Sequence, residues 1–300
     1  MELRKVVIVC NPNSTGDGPD NARELERTLA EQAPGLPVQI QGTEYAGHAE
    51  EIARQAVSGS DGVLVVSASG DGGYHEVVNG VVSAGRDGHG LGAAAVLASG
   101  NANDHAGATQ HRPLVHAILE AHAQGMSQRM DLLELQADAL PSRVAHSYIG
   151  LGISPVAAKA LNEHDLDAVR ETFLVVRAFW RYRPMTISHH TATGEEKISV
   201  DSLIFANINR MAKYAEFSDE SSVEDGRYET LMIPHRSKLR LLADVTRILR
   251  KEHPVISRSE PYAFRTLQPM PLQLDGEIFA VPGDAEVTVR CLPSTLRTVR

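Results

Sequence analysis

Two polar stretches in this sequence, one glycine-rich and suited to holding phosphate, the other acidic, have residue types that could do chemistry. In the first, the apolar run Val63-Leu64-Val65-Val66 leads through Ser67-Ala68-Ser69 into Gly70-Asp71-Gly72-Gly73, and then into Tyr74-His75-Glu76-Val77-Val78-Asn79-Gly80. Three glycines let a backbone come close to a ligand and turn its N–H groups into a concavity. A helix start directly after them adds partial positive charge, and together these features suit a phosphate. A tight strand–helix turn with no ligand accounts for the same glycines. No Walker lysine follows, so the loop is not a P-loop. Asp71 needs a partner, because a carboxylate beside phosphates repels them unless a cation or hydroxyl intervenes. The second stretch is Asp275-Gly276-Glu277, following the strand-like Leu272-Gln273-Leu274. The residues alone fit a strand-end turn with solvated acids.

Positioning such residues requires a scaffold, and the first 125 residues or so alternate strand-like and helix-like patterns. Strands are expected at Val6–Cys10, Val38–Ile40, Gly62–Val66 and Ala93–Leu97. Helices are expected at Asn21–Gln32, Ala46–Val57, from Tyr74 to Val82 and at Leu114–Ala123. This order implies parallel β–α–β units, with ligands beyond the carboxyl ends of the strands, where the polar loops fall. After Gln124-Gly125 the texture changes. Asp131–Gln136, Val144–Ile149, Lys197–Ala206, Tyr228–Ile233, Leu272–Leu274 and Ala285–Cys291 read as strands, with helices only at Asp167–Arg181 and Ser237–Arg250. The expectation is an α/β protein with a Rossmann-like three-layer domain over residues 1–128 and a mainly antiparallel β-sandwich domain over 129–300.

Composition narrows the function classes. With 29 Lys and Arg against 38 Asp and Glu the formal charge is −9, which argues against nucleic acid and against a global electrostatic grip on anionic lipid. No apolar run approaches the roughly 18–20 residues needed to cross a bilayer, so no transmembrane segment is expected. The N-terminus does not read as a signal peptide. Cys10 and Cys291 are the two cysteines; Cys10 ends an apolar run, where a buried reduced thiol is the ordinary reading and a cytoplasmic location the expectation.

At these residues the chain resembles the catalytic domain of diacylglycerol kinases and related bacterial lipid kinases, a superfamily shared with NAD kinases. Ser69 to Gly73 and Glu76 to Gly80 match the family's Gly-Gly-Asp-Gly-Thr and Glu-Val-Val-Asn-Gly. Asn11-Pro12-Asn13-Ser14-Thr15-Gly16 is similar to its Asn-Pro-x-Ser-Gly loop, and Thr43 with Gly47-His48-Ala49 to its threonine and His-Ala helix start. Ala98 to Asp104 resembles its Pro-x-Gly-Thr-x-Asn-Asp loop; Asp225-Gly226 and Asp275-Gly276-Glu277 resemble its later Asp-Gly and Asp-Gly-Glu. The resemblance spans nearly the whole chain, with departures: Gly73 and Asn101 stand where the family has threonine, and Ala98 where it has proline.

The resemblance implies transfer of the γ-phosphate of ATP to a lipid hydroxyl, most plausibly of diacylglycerol, with Mg²⁺, at a membrane surface. A sphingoid base or other lipid, an NAD-type acceptor and a catalytically impaired nucleotide-binding protein are the alternatives, and a homodimer stays open. It implies nucleotide contacts at Asn11, Pro12, Asn13, Ser14, Thr15, Thr43, Ala68, Ser69, Gly70, Asp71, Gly72, Gly73, Tyr74, Glu76, Asn101, Asn103 and Asp104. It implies a proton acceptor at Asp275 or Glu277, and a structural magnesium on Asp225 and the carbonyls of Ser222 and Arg227. On the residues alone, Thr43 also fits a helix N-cap, Asn103 and Asp104 simple loop formers, and Asp225 a surface turn. His105, His111, His116 and His122 are spaced wrongly for one helical face and read as scattered surface histidines. Arg177–Arg183, with the chain's one tryptophan, reads as an amphipathic helix or a membrane-interface segment.

Overall fold

The strands that the sequence marks by unbroken apolar runs form a parallel sheet, because a strand covered by helices on both faces shows no polar alternation. The computed structural model describes residues 1–14, 16–88, 92–101, 103–138, 140–152, 183–191, 194–211, 215–216, 222–238, 240–241, 244, 247 and 254–300. The chain divides into two compact units. The first is Met1–Leu132 with Val223–Asp225 and Pro293–Arg300; the second is Leu133–Ser222 with Gly226–Leu292. The sequence drew one boundary at 128, whereas the last residues of the chain return to the first unit.

In the first unit β1 (Lys5–Cys10), β2 (Val38–Gly42), β3 (Val63–Ser69) and β4 (Gly92–Ala98) lie in the order β2-β1-β3-β4, all parallel. Helices α1 (Gly18–Gln32), α2 (His48–Val57), α3 (Asp71–Arg86), α4 (Asp104–Thr109) and α5 (Leu114–Gln124) connect them. Val6, Ile8, Leu64 and Val66 point to one face and pack with Leu25 and Leu29 of α1 and Ile118 of α5. Burying side chains of this kind contributes roughly 1.5–3 kcal/mol each. Val7 and Val65, one residue on, are also fully buried, on the side where α2 and α3 pack against β1 and β3. The chain goes from β1 to β2 on one side and then crosses to β3 on the other. The loops after β1 and β3 therefore diverge at a topological switch point, where such sheets bind ligands.

The second unit is antiparallel, apart from the opening residues of β5 (Arg129–Ala137) and the closing residues of β17 (Glu286–Arg297), which belong to the first. Its other strands are β6 (Leu140–Ala145), β7 (Tyr148–Gly152), β8 (Met185–Thr191), β9 (Gly194–Ala206), β10 (Arg210–Met211), β11 (Ala215–Glu216), β12 (Tyr228–Pro234), β13 (Ile256–Arg258), β14 (Tyr262–Thr266), β15 (Met270–Leu274) and β16 (Glu277–Val281). They run in the order β16-β15-β7-β9-β8-β14-β17, with β12 on β9 and β13 on β12. Leu203, Phe205, Tyr228, Phe264, Leu272 and Leu274 form the centre of its core.

Several sequence expectations shift. Val144–Ile149 is not one strand: it breaks at His146-Ser147, whose N–H groups go to a carboxylate instead of a ladder. Helix α3 starts at Asp71, three residues before the expected Tyr74. Strands β8, β10, β11, β13, β14 and β16 and helix α4 were not anticipated. His105 is a correction: it is buried, its ring 5.1 Å from that of Tyr74, whereas His111, His116 and His122 are exposed. Thr15, the helix at 167–181 and all of 177–183 except Arg183 lie outside the described residues. The helix expected at 237–250 is helical at its described positions 238, 240, 241, 244 and 247.

Candidate active site

Four loops leave the carboxyl ends of the parallel strands, and a cavity of about 490 Å³ lies among them. The loop after β1 contributes Asn11, Asn13 and Ser14, and the loop after β2 contributes Thr43 and Tyr45. Ser67, Ser69, Gly70 and Gly73 line it from β3 and the start of α3, Ser99 and Gly100 from the loop after β4, and Glu76 from α3. No Lys or Arg lines it among the described residues. Its donors are hydroxyls, side-chain amides and backbone N–H groups.

Local hydrogen bonds shape each loop. The Asn13 N–H donates to Asn11 Oδ1 at 2.9 Å and the Ser14 N–H to the Asn11 carbonyl at 3.1 Å, a side-chain-assisted turn. The Thr43 N–H donates to the Cys10 carbonyl at 2.9 Å, tying the loop after β2 to β1. Thr43 is not a helix cap: the residue before α2 is Gly47, at φ 86°. The turn after β3 meets the loop after β4 backbone to backbone, since a Cβ on Gly100 would lie 2.4 Å from the Gly70 Cα. A side chain at 100 would clash with this backbone, while a Cβ at 70 would be tight, 3.2 Å from the Gly100 Cα. In α3 the first intrahelical bond is Tyr74 N–H to Gly70 O at 3.2 Å, so the amides of Asp71, Gly72 and Gly73 precede the helical ladder.

The acids in these motifs hold backbone. Asp71 accepts the N–H groups of Asp104 at 3.1 Å and His105 at 3.2 Å, which seats the start of α4 beside the turn. That is the partner its carboxylate requires. Glu76 accepts the N–H groups of Gly47 at 3.0 Å and Ala49 at 3.1 Å, bracing the start of α2. Asn103, at φ 52°, grips Gly100 by both ends, accepting its N–H at 2.9 Å and donating to its carbonyl at 2.6 Å. Pro12, Ala68, Asp71, Gly72, Tyr74, Asn101, Asn103 and Asp104 do not line the cavity; Ala68, Tyr74 and Asp104 are buried and Asn101 is exposed. Cys10 does line it, and burial pushes its thiol pKa up, with Arg23 opposing. The sequence reading missed Ser67, Ser99, Gly100 and Tyr45 as lining residues. Ser67 carried a signal, since it shares the Ser69 face of an otherwise apolar strand.

In the second unit Asp275-Gly276 is the two-residue turn of the β15–β16 hairpin, with φ 48° and 101° and Leu274 paired to Glu277. Positive φ at both residues is the hairpin turn that Asp-Gly favours. The Asp275 side chain is wholly buried. Its Oδ1 accepts the N–H groups of Ser147 at 2.9 Å and Tyr148 at 3.0 Å, and its Oδ2 that of His146 at 2.8 Å. Glu277, two residues on, is exposed. The two acids of one motif have opposite environments.

The expected magnesium ligands lie on one surface turn. Ser222, Asp225 and Arg227 are exposed and Gly226 has φ 69°. The Arg227 Nε donates to Ser257 Oγ at 2.9 Å, and the Arg300 guanidinium pairs with Glu224. A lone carboxylate with neighbouring carbonyls is a hard oxygen set that suits a water-rich Mg²⁺. Among the described residues no group of three or more His, Cys, Asp or Glu could hold a metal.

Residues 5–135 match the family model for the diacylglycerol kinase catalytic domain. The chain matches no curated protein. A solved diacylglycerol kinase from Bacillus anthracis is 14% identical, covering 100% of this chain and 97% of its own at a TM-score of 0.71, and a second structure from that organism reaches 0.73 at 15% identity with 100% and 98% covered. Yeast NADH kinase complexed with NADH reaches 0.53 at 13% identity, covering 99% of this chain and 83% of its own. No described helix is long and apolar enough to cross a membrane. Residues 5–135 are thus similar to a diacylglycerol kinase catalytic domain, and the whole chain shares the α/β fold of these bacterial diacylglycerol kinase and yeast NADH kinase structures.

Proposed function

We propose that this chain transfers the γ-phosphoryl group of ATP to a lipid hydroxyl, with diacylglycerol the first acceptor to test, as a cytoplasmic protein that visits the membrane surface. The observation that carries the reading is the convergence of four loops, each resembling a nucleotide loop, on one cavity at the switch point of a parallel sheet. Phosphoryl transfer needs positioning and charge neutralisation more than covalent chemistry from the protein. With no basic side chain lining the cavity among the described residues, neutralisation falls to N–H groups, hydroxyls and the Mg²⁺ that accompanies ATP. The acceptor oxygen bonds to the γ-phosphorus, the bond to the β–γ bridging oxygen breaks, ADP leaves, and a carboxylate takes the hydroxyl proton.

Of the two candidate bases, Glu277 suits that task. Its carboxylate is exposed, whereas Asp275 is enclosed by three amides. Asp225 with the Ser222 and Arg227 carbonyls is the proposed structural Mg²⁺ site, where the ion would stiffen a surface turn.

The test is transfer of label from γ-labelled ATP with Mg²⁺ to diacylglycerol, a sphingoid base and a monoacyl lipid in mixed micelles, and to NAD without detergent. Label in diacylglycerol is the expected result. Label in NAD alone, or in no acceptor, overturns the proposal.

A further inference from the structure

At the phosphate turn the sequence departs from its family pattern at two positions, Ser69 for glycine and Gly73 for threonine, and the structure shows that these positions contact each other. A Cβ built on Gly73 would lie 2.4 Å from Ser69 Oγ and 2.8 Å from Ser69 Cβ. Rotating the hydroxyl relieves only the first contact, because Ser69 Cβ is fixed by the strand. The volume that a side chain at 73 would fill is therefore taken by the side chain at 69. Ser69 is the last residue of β3 and Gly73 lies in the first turn of α3, and both line the cavity.

We infer that the two departures are one compensated exchange, in which Ser69 Oγ supplies the phosphate-facing hydroxyl that the threonine position gave up. This rests on the nucleotide reading above and deepens it by assigning a ligand hydroxyl where the family's threonine is absent. Three observations support it. Ser69 Oγ is 2.6 Å from Ser67 Oγ, so the pair forms a relay on one face of β3. Both serines line the cavity, but Ser67 is only 2% exposed, so Ser69 is the more accessible member of the pair. Ser69 Oγ now donates to the Gly70 carbonyl at 3.0 Å, a bond of a partly buried hydroxyl that an incoming phosphate oxygen can replace while Ser67 still holds the side chain in place. The chemistry recognised is a terminal phosphate oxygen of a nucleotide, through a neutral O–H donor.

The experiment measures ATP and ADP binding by titration calorimetry with the full chain, alongside melting temperature, for four proteins: wild type, Ser69→Ala, Gly73→Thr and Ser69→Gly/Gly73→Thr. Ser69→Ala should weaken ATP about tenfold or more, the worth of a hydrogen bond to a charged oxygen, and lower the melting temperature by only a few degrees as Ser67 Oγ loses its partner. Gly73→Thr should lose binding and melt lower through the clash, and the double variant should recover both, because glycine at 69 vacates the space that threonine fills. Unchanged ATP affinity in Ser69→Ala, or a double variant no better than Gly73→Thr, overturns the exchange while leaving the nucleotide reading intact. A wild type that binds neither nucleotide overturns both.

Discussion

The Asp-Gly-Glu hairpin gives the sharpest test, because its two carboxylates should fail in different ways. Asp275→Asn keeps the shape and tolerates the left-handed turn at φ 48°, where asparagine is at home, so it isolates the charge and the acceptor count. The amide oxygen can replace Oδ1 and keep the Ser147 and Tyr148 N–H groups; the amide nitrogen then faces the His146 N–H that Oδ2 accepted at 2.8 Å. Two bonds to a charged acceptor become neutral, a loss of about 1 kcal/mol each, and one buried N–H loses its acceptor, costing about 1–3 kcal/mol. The opposite amide orientation strands two donors and is worse. The sum is roughly 3–5 kcal/mol, about 10 °C in melting temperature for a unit of this size, with the urea midpoint lowered and the slope unchanged. Glu277→Gln, on an exposed side chain, should melt like wild type while the rate of lipid phosphorylation falls ~10²–10⁴-fold. Circular dichroism melts and the labelled-ATP assay on both variants decide the matter. An Asp275→Asn protein that melts with wild type, or a Glu277→Gln protein at full rate, refutes the assignment.

Two further outcomes follow from the same geometry. Asp71→Asn can hold only one of the Asp104 and His105 amides, so exchange at the start of α4 should quicken, stability should fall by about 1–3 kcal/mol, and ATP should bind about tenfold more weakly as the Gly100 loop loosens; unchanged exchange at those amides would contradict this. In the second unit, burial pushes the Tyr228 and Tyr262 phenols from 10.0 up to about 12. Between those pH values the unfolded chain releases protons that the folded chain keeps, so stability should fall as pH rises from about 10 to about 12. The two tyrosines part at their hydroxyls: Tyr228 donates to the Glu260 carbonyl at 2.7 Å, while the buried Tyr262 hydroxyl has no hydrogen-bond partner among the described residues. Tyr228→Phe should cost about 1 kcal/mol at neutral pH, and Tyr262→Phe should be neutral or stabilising and flatten the alkaline decline. An equal neutral-pH loss in both variants would count against the argument.

How much was legible in advance depended on what kind of physics each residue obeys. Buried parallel strands write themselves as apolar runs, so β1, β3 and β4 were placed within a residue or three, and the loops at their carboxyl ends were placed with them. The start of α3 was not, because Gly-Asp-Gly-Gly has poor helix propensity and becomes helical only where Asp71 is anchored by the amides of α4. Strand β8 hid behind Ser188, His189 and His190, which blur the alternation around Met185 and Ile187. Strand β16 was announced by the Asp-Gly pair, a hairpin signal that was read only as the end of a strand. At the site the loops were legible and the direction of each side chain was not. An aspartate on a glycine turn is written the same way whether it faces a ligand, as expected of Asp71, or clasps a neighbouring helix, as it does. Gly73 stands where the family has threonine, and sequence order does not reveal that Ser69 occupies the space beside it.

That distinction bears on how a chain of net charge −9 would receive the proposed nucleotide in a cavity with no lysine or arginine in its lining among the described residues. Helix starts are the natural anion sites of such a fold, and carboxylates compete with phosphate for them. Here the competition is allocated. Helix α3 sends Asp71 to the start of α4 and Glu76 to the start of α2, so two helix starts are closed by acids from a third. The start of α3 itself is capped by Gly70, which has no side chain to offer, and opens on the cavity through Gly70 and Gly73. The motif's acids thus direct where an anion can sit by occupying the alternatives. Total charge sets the long-range field that an approaching anion meets; which amides are left to receive it at close range is decided by where two carboxylates on one helix point.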